Sequence, residues 1–306
     1  MEIHLARTQG FCAGVATAVE IVNRALEKYG TPLCVYHEIV HNTHVVNDFR
    51  RRGVVFVEDL SDVPQGSPVI FSAHGIPPPI LDEAKQRNLK IVNATCPLVS
   101  KVHNEAIKAS KKKQHVILLG HKGHQEVIGT AGYVEPELLH IIERRDDIDG
   151  LDIDPGQEVS YITQTTLSVD ETKDIVAKLK SRFPRLLERS RADICYATQN
   201  RQDSVKELAR ICDLVIICGS PNSSNSNRLR ETGANEGVES FIIDKADEFD
   251  LNHLKGKEKV GVTSGASVPR FIVDELVGKI CAAYPGTKVH AFPDPEKEVM
   301  FKLPEL

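Results

Sequence analysis

Three cysteines, Cys12, Cys96 and Cys195, stand in settings alike enough to point to one shared chemistry. Each separates a short apolar segment from an amphipathic run: RTQGFCAG before ATAVEIVNRALEK, NATC before PLVSKVHNEAIKASKKK, and DICYAT before NRQDSVKELAR. A thiolate is favoured over the thiol near a glycine-permitted turn and at the positive end of a helix. Three far-separated thiolates suit zinc, with a histidine such as His124 as fourth ligand. They equally suit a four-iron four-sulfur cluster in which one iron lacks a cysteine and is open to a substrate oxygen. No CxxC pair is present, so the chain does not resemble a common zinc knuckle.

Polar loops offer a second set of reactive groups. HEIVHNTH, GHKGHQE and GSPNSSNSN each follow an apolar segment, and FSAHG, TQTTLS and GVTSGAS end a further set. Imidazole, hydroxyl and amide donors in such loops can surround phosphate oxygens without a metal. Taken singly, each has a plainer reading. SSNSN is a polar loop or helix cap, Thr165 in TQTTLS is a helix N-cap before SVDETKDI, and Glu126 is a solvated acid.

These groups need elements to position them. From each of the three cysteines to the next apolar segment is about one helix and one turn, as strand-helix-strand units require. Strands linked by crossover helices form mostly parallel sheets, and ligands collect outside the carboxyl ends of such strands. The expected architecture is α/β, with three similar α/β units arranged pseudo-threefold around a central cavity that the three cysteines and the polar loops face. The units are expected at 13–96, 97–194, and 1–12 plus 195–283. Residues 284–306 form a C-terminal extension whose prolines and alternating polarity indicate an extended cover or surface arm.

Composition narrows the class. A chain of 306 residues, 41% hydrophobic and 26% charged, fits a folded enzyme of more than one core and gives disorder little support. The formal charge of -5 argues against a generic nucleic-acid surface. No apolar run approaches a membrane span, and the start MEIHLARTQGFCAG lacks a signal-peptide pattern, so a cytoplasmic location is expected. Seven scattered cysteines do not form a disulfide framework; Cys34, Cys212, Cys218 and Cys281 lie in or beside apolar segments and read as small hydrophobes. No GxxxxGK[ST] or GxGxxG unit supports nucleotide hydrolysis or nicotinamide binding.

Taken together, GFCAGV, HEIVHN, IFSAHG, ATCPLVSKVH, GHKGHQE, TQTTLSVD, DICYAT, NRQ, SSNSNRL and GVTSGAS closely resemble, in order and number, the 4-hydroxy-3-methylbut-2-enyl diphosphate reductase or LytB family, to about residue 282. The resemblance implies three α/β units around one [4Fe-4S] cluster, held by Cys12, Cys96 and Cys195 with one open iron site. It implies reductive dehydroxylation of (E)-4-hydroxy-3-methylbut-2-enyl diphosphate to isopentenyl and dimethylallyl diphosphates in the non-mevalonate isoprenoid pathway. It places His41, His74, His124, Thr165, Ser223, Ser224, Asn225 and Ser267 with the substrate. Glu126 is assigned to proton delivery, supported by His124 and Thr165. A ferredoxin or flavodoxin-type electron donor is implied, with no nucleic-acid or membrane partner. Two departures touch only the outer loops: Gln9 stands where familiar members carry a basic residue, and three prolines run from 77 to 79. The competing readings are a zinc hydrolase with cysteine ligands and a noncatalytic iron-sulfur redox sensor.

Overall fold

The computed structural model describes residues 1–187, 193–296 and 299–305. Its strands are β1 (Glu2–Leu5), β2 (Leu33–Tyr36), β3 (Val54–Val57), β4 (Pro68–Phe71), β5 (Lys90–Asn93), β6 (His115–Leu119), β7 (Leu139–Ile142), β8 (Val159–Thr163), β9 (Leu214–Cys218), β10 (Glu239–Ile243), β11 (Lys259–Ser264) and β12 (Lys288–His290). Its α-helices are α1 (Ala13–Tyr29), α2 (Thr43–Arg51), α3 (Pro78–Gln86), α4 (Pro97–Lys111), α5 (Gln125–Ala131), α6 (Val169–Arg182), α7 (Tyr196–Ala209), α8 (Ser224–Asn235) and α9 (Arg270–Ala283). Among the described residues the strands form three sheets, ordered β10-β9-β11-β1-β12, β3-β2-β4-β5 and β7-β6-β8. Every pairing within them is parallel. The expected α/β class with several parallel sheets is therefore what the chain adopts.

The chain divides into two compact units. One comprises Met1–Ala16, Val40–Phe49 and Tyr196–Met300 and contains the five-stranded sheet. The run LVIIC of β9 is buried throughout, as a central parallel strand covered on both faces must be. Alternate side chains separate its two cores. Leu214, Ile216 and Cys218 join Ile3, Leu5, Val260 and Val262 beneath Ile272, Leu276 and Ile280 of α9. Val215 and Ile217 point the other way, onto Val205 and Leu208 of α7 and Leu229 of α8.

The other unit comprises Thr17–Ile39, Arg50–Cys195 and Phe301–Leu306. In its four-stranded sheet, Cys34, Tyr36, Val69 and Phe71 pack with Ala84 of α3 and its partly buried neighbours Ile80 and Leu81. In its three-stranded sheet, Ile117, Leu119 and Val159 face Ile175 and Leu179 of α6, while Val116, Leu118 and Ile162 face Val102, Ala106 and Ala109 of α4 and Val127 of α5.

Helix starts fall closer to the cysteines than periodicity alone indicates. α1 begins at Ala13, directly after Cys12, and α7 begins at Tyr196, directly after Cys195. Cys96 is itself the N-cap of α4, whose first residue is Pro97. Proline suits that position because its missing N–H has no helical partner there. The segment before Cys195 is a bend at Asp193 and Ile194, and Arg191 and Ala192 lie outside the described residues. In the C-terminal extension, Lys288–His290 forms β12 alongside β1, so part of the expected arm is an edge strand.

Candidate active site

Glu126 is buried, at 3% exposure, in the first turn of α5. Its seat is made by the end of β8 and the loop beyond it. The Thr165 amide donates to Glu126 Oε1 at 2.6 Å, and the Thr165 hydroxyl donates to Oε2 at 2.9 Å. Burial pushes the Glu126 pKa up to about 7; the two Thr165 hydrogen bonds act against that rise, and the Asp193 charge adds to it. A carboxyl poised there is half protonated near neutrality, as a proton donor at that pH requires.

His124 caps α5, its Nδ1 accepting from the Glu126 amide at 3.1 Å. That role leaves the proton on Nε2, which can donate to an anion. His74 meets His124 edge to face, ring centroids 5.9 Å apart and planes at 86°. Ser72 Oγ lies 3.3 Å from His74 Nδ1 and orients the ring. The next residue, Gly75, has φ +80°, and a Cβ there would lie 2.4 Å from the His103 ring, so only glycine fits the turn.

Cys96 and Cys195 are tied to these same loops. The Cys96 amide donates to the Ala73 carbonyl at 3.0 Å, and the Cys195 amide donates to the Thr165 carbonyl at 3.1 Å. The structure thus joins His74 with Cys96, and Glu126, Thr165 and Cys195, through single backbone links.

The other unit positions Cys12, His41, Ser223, Ser224, Asn225 and Ser267. Cys12 Sγ accepts from the Val15 amide at 3.5 Å, within the first turn of α1, and the Cys12 amide donates to Ala266 O at 3.0 Å. Ser267 Oγ donates to the His41 carbonyl at 2.9 Å, fixing one predicted residue against another. Ser223 is the N-cap of α8, accepting from the Ser226 amide at 3.4 Å and from the Ser226 hydroxyl at 3.2 Å. A Cβ on Gly219 or Gly265 would come within 2.3 Å or 2.1 Å of Ser226 Oγ, so these glycines let α8 begin against the carboxyl ends of β9 and β11.

Asn225, in the first turn of α8, is 5% exposed, and among the described residues neither its Oδ1 nor its Nδ2 has a hydrogen-bond partner. A buried amide left this way costs roughly 1–3 kcal/mol. With the amides of a helix N-terminus beside it, the arrangement is built for an oxygen-rich anion. Ser223 therefore serves the helix as the plainer reading of SSNSN expects, while the Asn225 amide takes no part in the cap.

The sequence model of the family described as LytB protein matches residues 3–281. The chain belongs to the LytB family. The 4-hydroxy-3-methylbut-2-enyl diphosphate reductase of Chromobacterium violaceum is 49% identical over 302 residues, covering 99% of this chain and 96% of that protein. The reductase of the same description from Dechloromonas aromatica is 48% identical over 305 residues, covering 100% and 99%. Among solved structures, the E-1-hydroxy-2-methyl-but-2-enyl-4-diphosphate reductase of Plasmodium falciparum superposes with a TM-score of 0.95 at 38% identity, covering 99% of this chain and 95% of that one. A structure described as (E)-4-hydroxy-3-methyl-but-2-enyl diphosphate reductase, the terminal enzyme of the non-mevalonate pathway, aligns with a TM-score of 0.65 at 31% identity, covering 92% and 100%.

Within this LytB chain, sequence reasoning missed Arg201. It lies in NRQ, a stretch that carries the resemblance, yet nothing in its type or spacing signals burial. Its side chain is fully buried, donating to Ala197 O and Gly10 O, both at 2.9 Å, and to the Glu296 carboxylate at 3.0 Å. Gly10 is held at its other end by Ser264 Oγ, 2.8 Å from its amide, and adopts φ +76°. Arg201 and Ser264 therefore brace the loop that leads into Cys12. Among the described residues, the metal-ligating side chains gathered most tightly are Glu2, His4 and His290, and this set contains no cysteine.

Proposed function

We propose that this chain reduces (E)-4-hydroxy-3-methylbut-2-enyl diphosphate to isopentenyl and dimethylallyl diphosphates, the step its relatives are named for, as an oxidoreductase of the non-mevalonate isoprenoid pathway. The observation that carries the reading within the fold is the buried Glu126 carboxyl, poised near neutrality and clasped by Thr165. An ordinary structural acid does not need that combination of burial, two-point restraint and a histidine on its own amide.

The finer assignments belong to the same proposal. Cys12, Cys96 and Cys195 hold one [4Fe-4S] cluster with an open iron site, and three α/β units, 13–96, 97–194 and 1–12 plus 195–283, surround it pseudo-threefold, followed by the 284–306 extension. The donor set fits such a group: all three residues are thiols, each partly exposed, and each immediately precedes or caps a helix whose dipole favours negative charge. When bound, the cluster supplies electrons singly and a Lewis-acidic iron.

The protein's own groups supply binding and protons. His41, His74, Ser223, Ser224, Asn225 and Ser267 bind the diphosphate, and His124 donates to it through Nε2. Binding energy gained there orients the reacting hydroxyl, contacted by Thr165, for cleavage. The overall balance is one substrate, two electrons and two protons giving one product and one water. Glu126 delivers a proton to the departing hydroxyl, so that it leaves as water; the remaining allylic carbon framework accepts the other proton at either end, which yields the two isomers. Electrons come from a ferredoxin or flavodoxin-type donor that docks transiently, and the proposed location is cytoplasmic. Among the described residues no helix is long and apolar enough to cross a membrane.

Anaerobic purification with iron and sulfide analysis, electron paramagnetic resonance and turnover with a chemical reductant tests the proposal. A protein with about four irons per chain that consumes reductant and releases both isomers is expected. Colourless, iron-free protein that acts on the substrate without reductant would instead establish a zinc hydrolase, and a cluster-bearing protein with no turnover a redox sensor.

A further inference from the structure

A group of ligating side chains lies apart from every residue assigned above. Glu2 and His4 are two residues apart on β1, so both side chains leave the same face of the sheet. His290 on β12 is the register partner of His4 in a parallel pairing, which puts it beside His4 on that face. The two imidazoles stack with centroids 4.7 Å apart and planes inclined by 17°. Glu2 Oε2 lies 3.2 Å from His4 Nε2 and 3.7 Å from His290 Nε2, and the candidate ligand atoms all fall within 4.8 Å of one another.

We propose that Glu2, His4 and His290 form a second metal site, for a borderline divalent cation of the zinc class, which fastens the edge strand β12 to β1. Metal bonds of about 2.0–2.1 Å in tetrahedral geometry set ligand atoms roughly 3.3 Å apart. The two separations from the carboxylate bracket that spacing, and coordination by both rings requires them to turn out of their stacked orientation, because an imidazole nitrogen binds in the plane of its ring. Two neutral imidazoles and one carboxylate are the donor types such ions take, whereas calcium and magnesium require more oxygen. Hydrogen bonding within the trio does not account for it: His290 Nε2, the atom turned toward Glu2, is buried and makes no hydrogen bond, and His4 Nδ1 is likewise buried without one. The carboxylate oxygen hydrogen-bonds His4 Nε2 at 3.2 Å, which leaves His290 Nε2 without a hydrogen bond among the described residues, and a single dication satisfies all three groups together. Lys259, the register partner of Glu2 on the other side of β1, lowers the affinity without removing a ligand. The site has a mechanical role because β12 has three residues and, among the described residues, pairs with β1 alone. Bridging His4 to His290 cross-links segments nearly a full chain length apart.

Calorimetric titration of the cluster-loaded protein with zinc sulfate under anaerobic conditions tests this, with amide hydrogen exchange of β1 and β12 followed in parallel. One zinc per chain is expected, with slower exchange in β12. His290→Ala and Glu2→Gln should each weaken zinc binding at least tenfold and abolish the slowing. Glu2→Gln retains size and backbone pairing, so a loss of affinity there cannot come from an unseated strand. Failure of the wild-type protein to take up zinc would overturn the proposal, as would unchanged affinity in both variants. Iron content and turnover should be unaffected in either variant, which separates this result from that of the reductase proposal.

Discussion

Thr165 donates to both oxygens of the Glu126 carboxylate, one from its amide at 2.6 Å and one from its hydroxyl at 2.9 Å. The carboxyl is thereby fixed in orientation while burial holds its pKa up to about 7. Glu126→Gln keeps size and hydrogen-bonding capacity but removes the transferable proton. In anaerobic single turnover with pre-reduced, cluster-quantified protein, product formation should fall roughly a hundredfold or more, within the scale of acid catalysis, with substrate binding retained. Near-wild-type product per intact cluster would remove Glu126 from the proton path.

The same pKa sets two pH trends. As donor, Glu126 must be protonated, so the proton-transfer rate should decline as pH rises through about 7. Stability follows by linkage. The folded-state pKa lies above the ordinary 4.5, so the folded chain holds the Glu126 proton between these values and this group's contribution to stability falls as pH rises from about 4.5 to about 7. Burial lowers the His103 pKa to about 4, which gives the opposite trend over nearly the same range, so in urea denaturation the Glu126 decline should show as the difference between wild type and Glu126→Gln.

Removing only the hydroxyl separates the two contacts. Thr165→Val preserves the amide donor and shape but deletes the bond to Oε2, one of the influences that lower the Glu126 pKa. The pKa should rise further, and the carboxylic-acid infrared band should persist to higher pH than in wild type. A band that titrates at the wild-type pH would show that the hydroxyl does not tune the acid.

Asn225 yields opposite signs for stability and binding. Because neither polar atom of its buried side chain has a partner, Asn225→Ala should leave stability unchanged or slightly raised. Diphosphate affinity should fall about tenfold, the worth of one hydrogen bond to a charged group. Thermal unfolding and direct substrate titration check the two signs independently.

Glu296→Ala is expected to act through Arg201. It strips the carboxylate from a fully buried guanidinium, which costs about 3–5 kcal/mol in comparable buried pairs. Because Arg201 also holds Gly10 O, loosening should spread to the Cys12 loop, read as faster amide exchange at residues 10–13. Unchanged stability would mean that Arg201 finds another partner.

How much of this could be read from the chain alone follows from where each signal resides. LVIICG and HVILLG are continuous apolar runs bounded by glycine, and with amphipathic segments between them the parallel α/β order was legible. The three cysteines stand out as a set in the sequence because they share a local context, and the structure places each at a helix start. The burial of Glu126 was not, since it depends on the seven-residue α5 docking beside the loop after β8, a tertiary event. Arg201 was opaque for a related reason: a charged residue in NRQDS reads as solvated, and its burial is decided by Gly10 and Glu296, far away in sequence. Prolines after Tyr284 signalled an extended segment, but only pairing with β1 revealed that KVH is a strand.

The order of the five-stranded sheet bears on how the protein is made. β1 precedes every other described strand in sequence, yet its neighbours are β11 and β12, with Glu2 opposite Lys259 and Lys288. The Cys12 amide likewise waits for Ala266, and Gly10 for Ser264 and Arg201. A nascent chain interrupted before β11 can fold its middle sheets, whose contacts are local, but has no seat for its first cysteine. The Cys12 loop is thus held only in chains whose synthesis has run past Ala266.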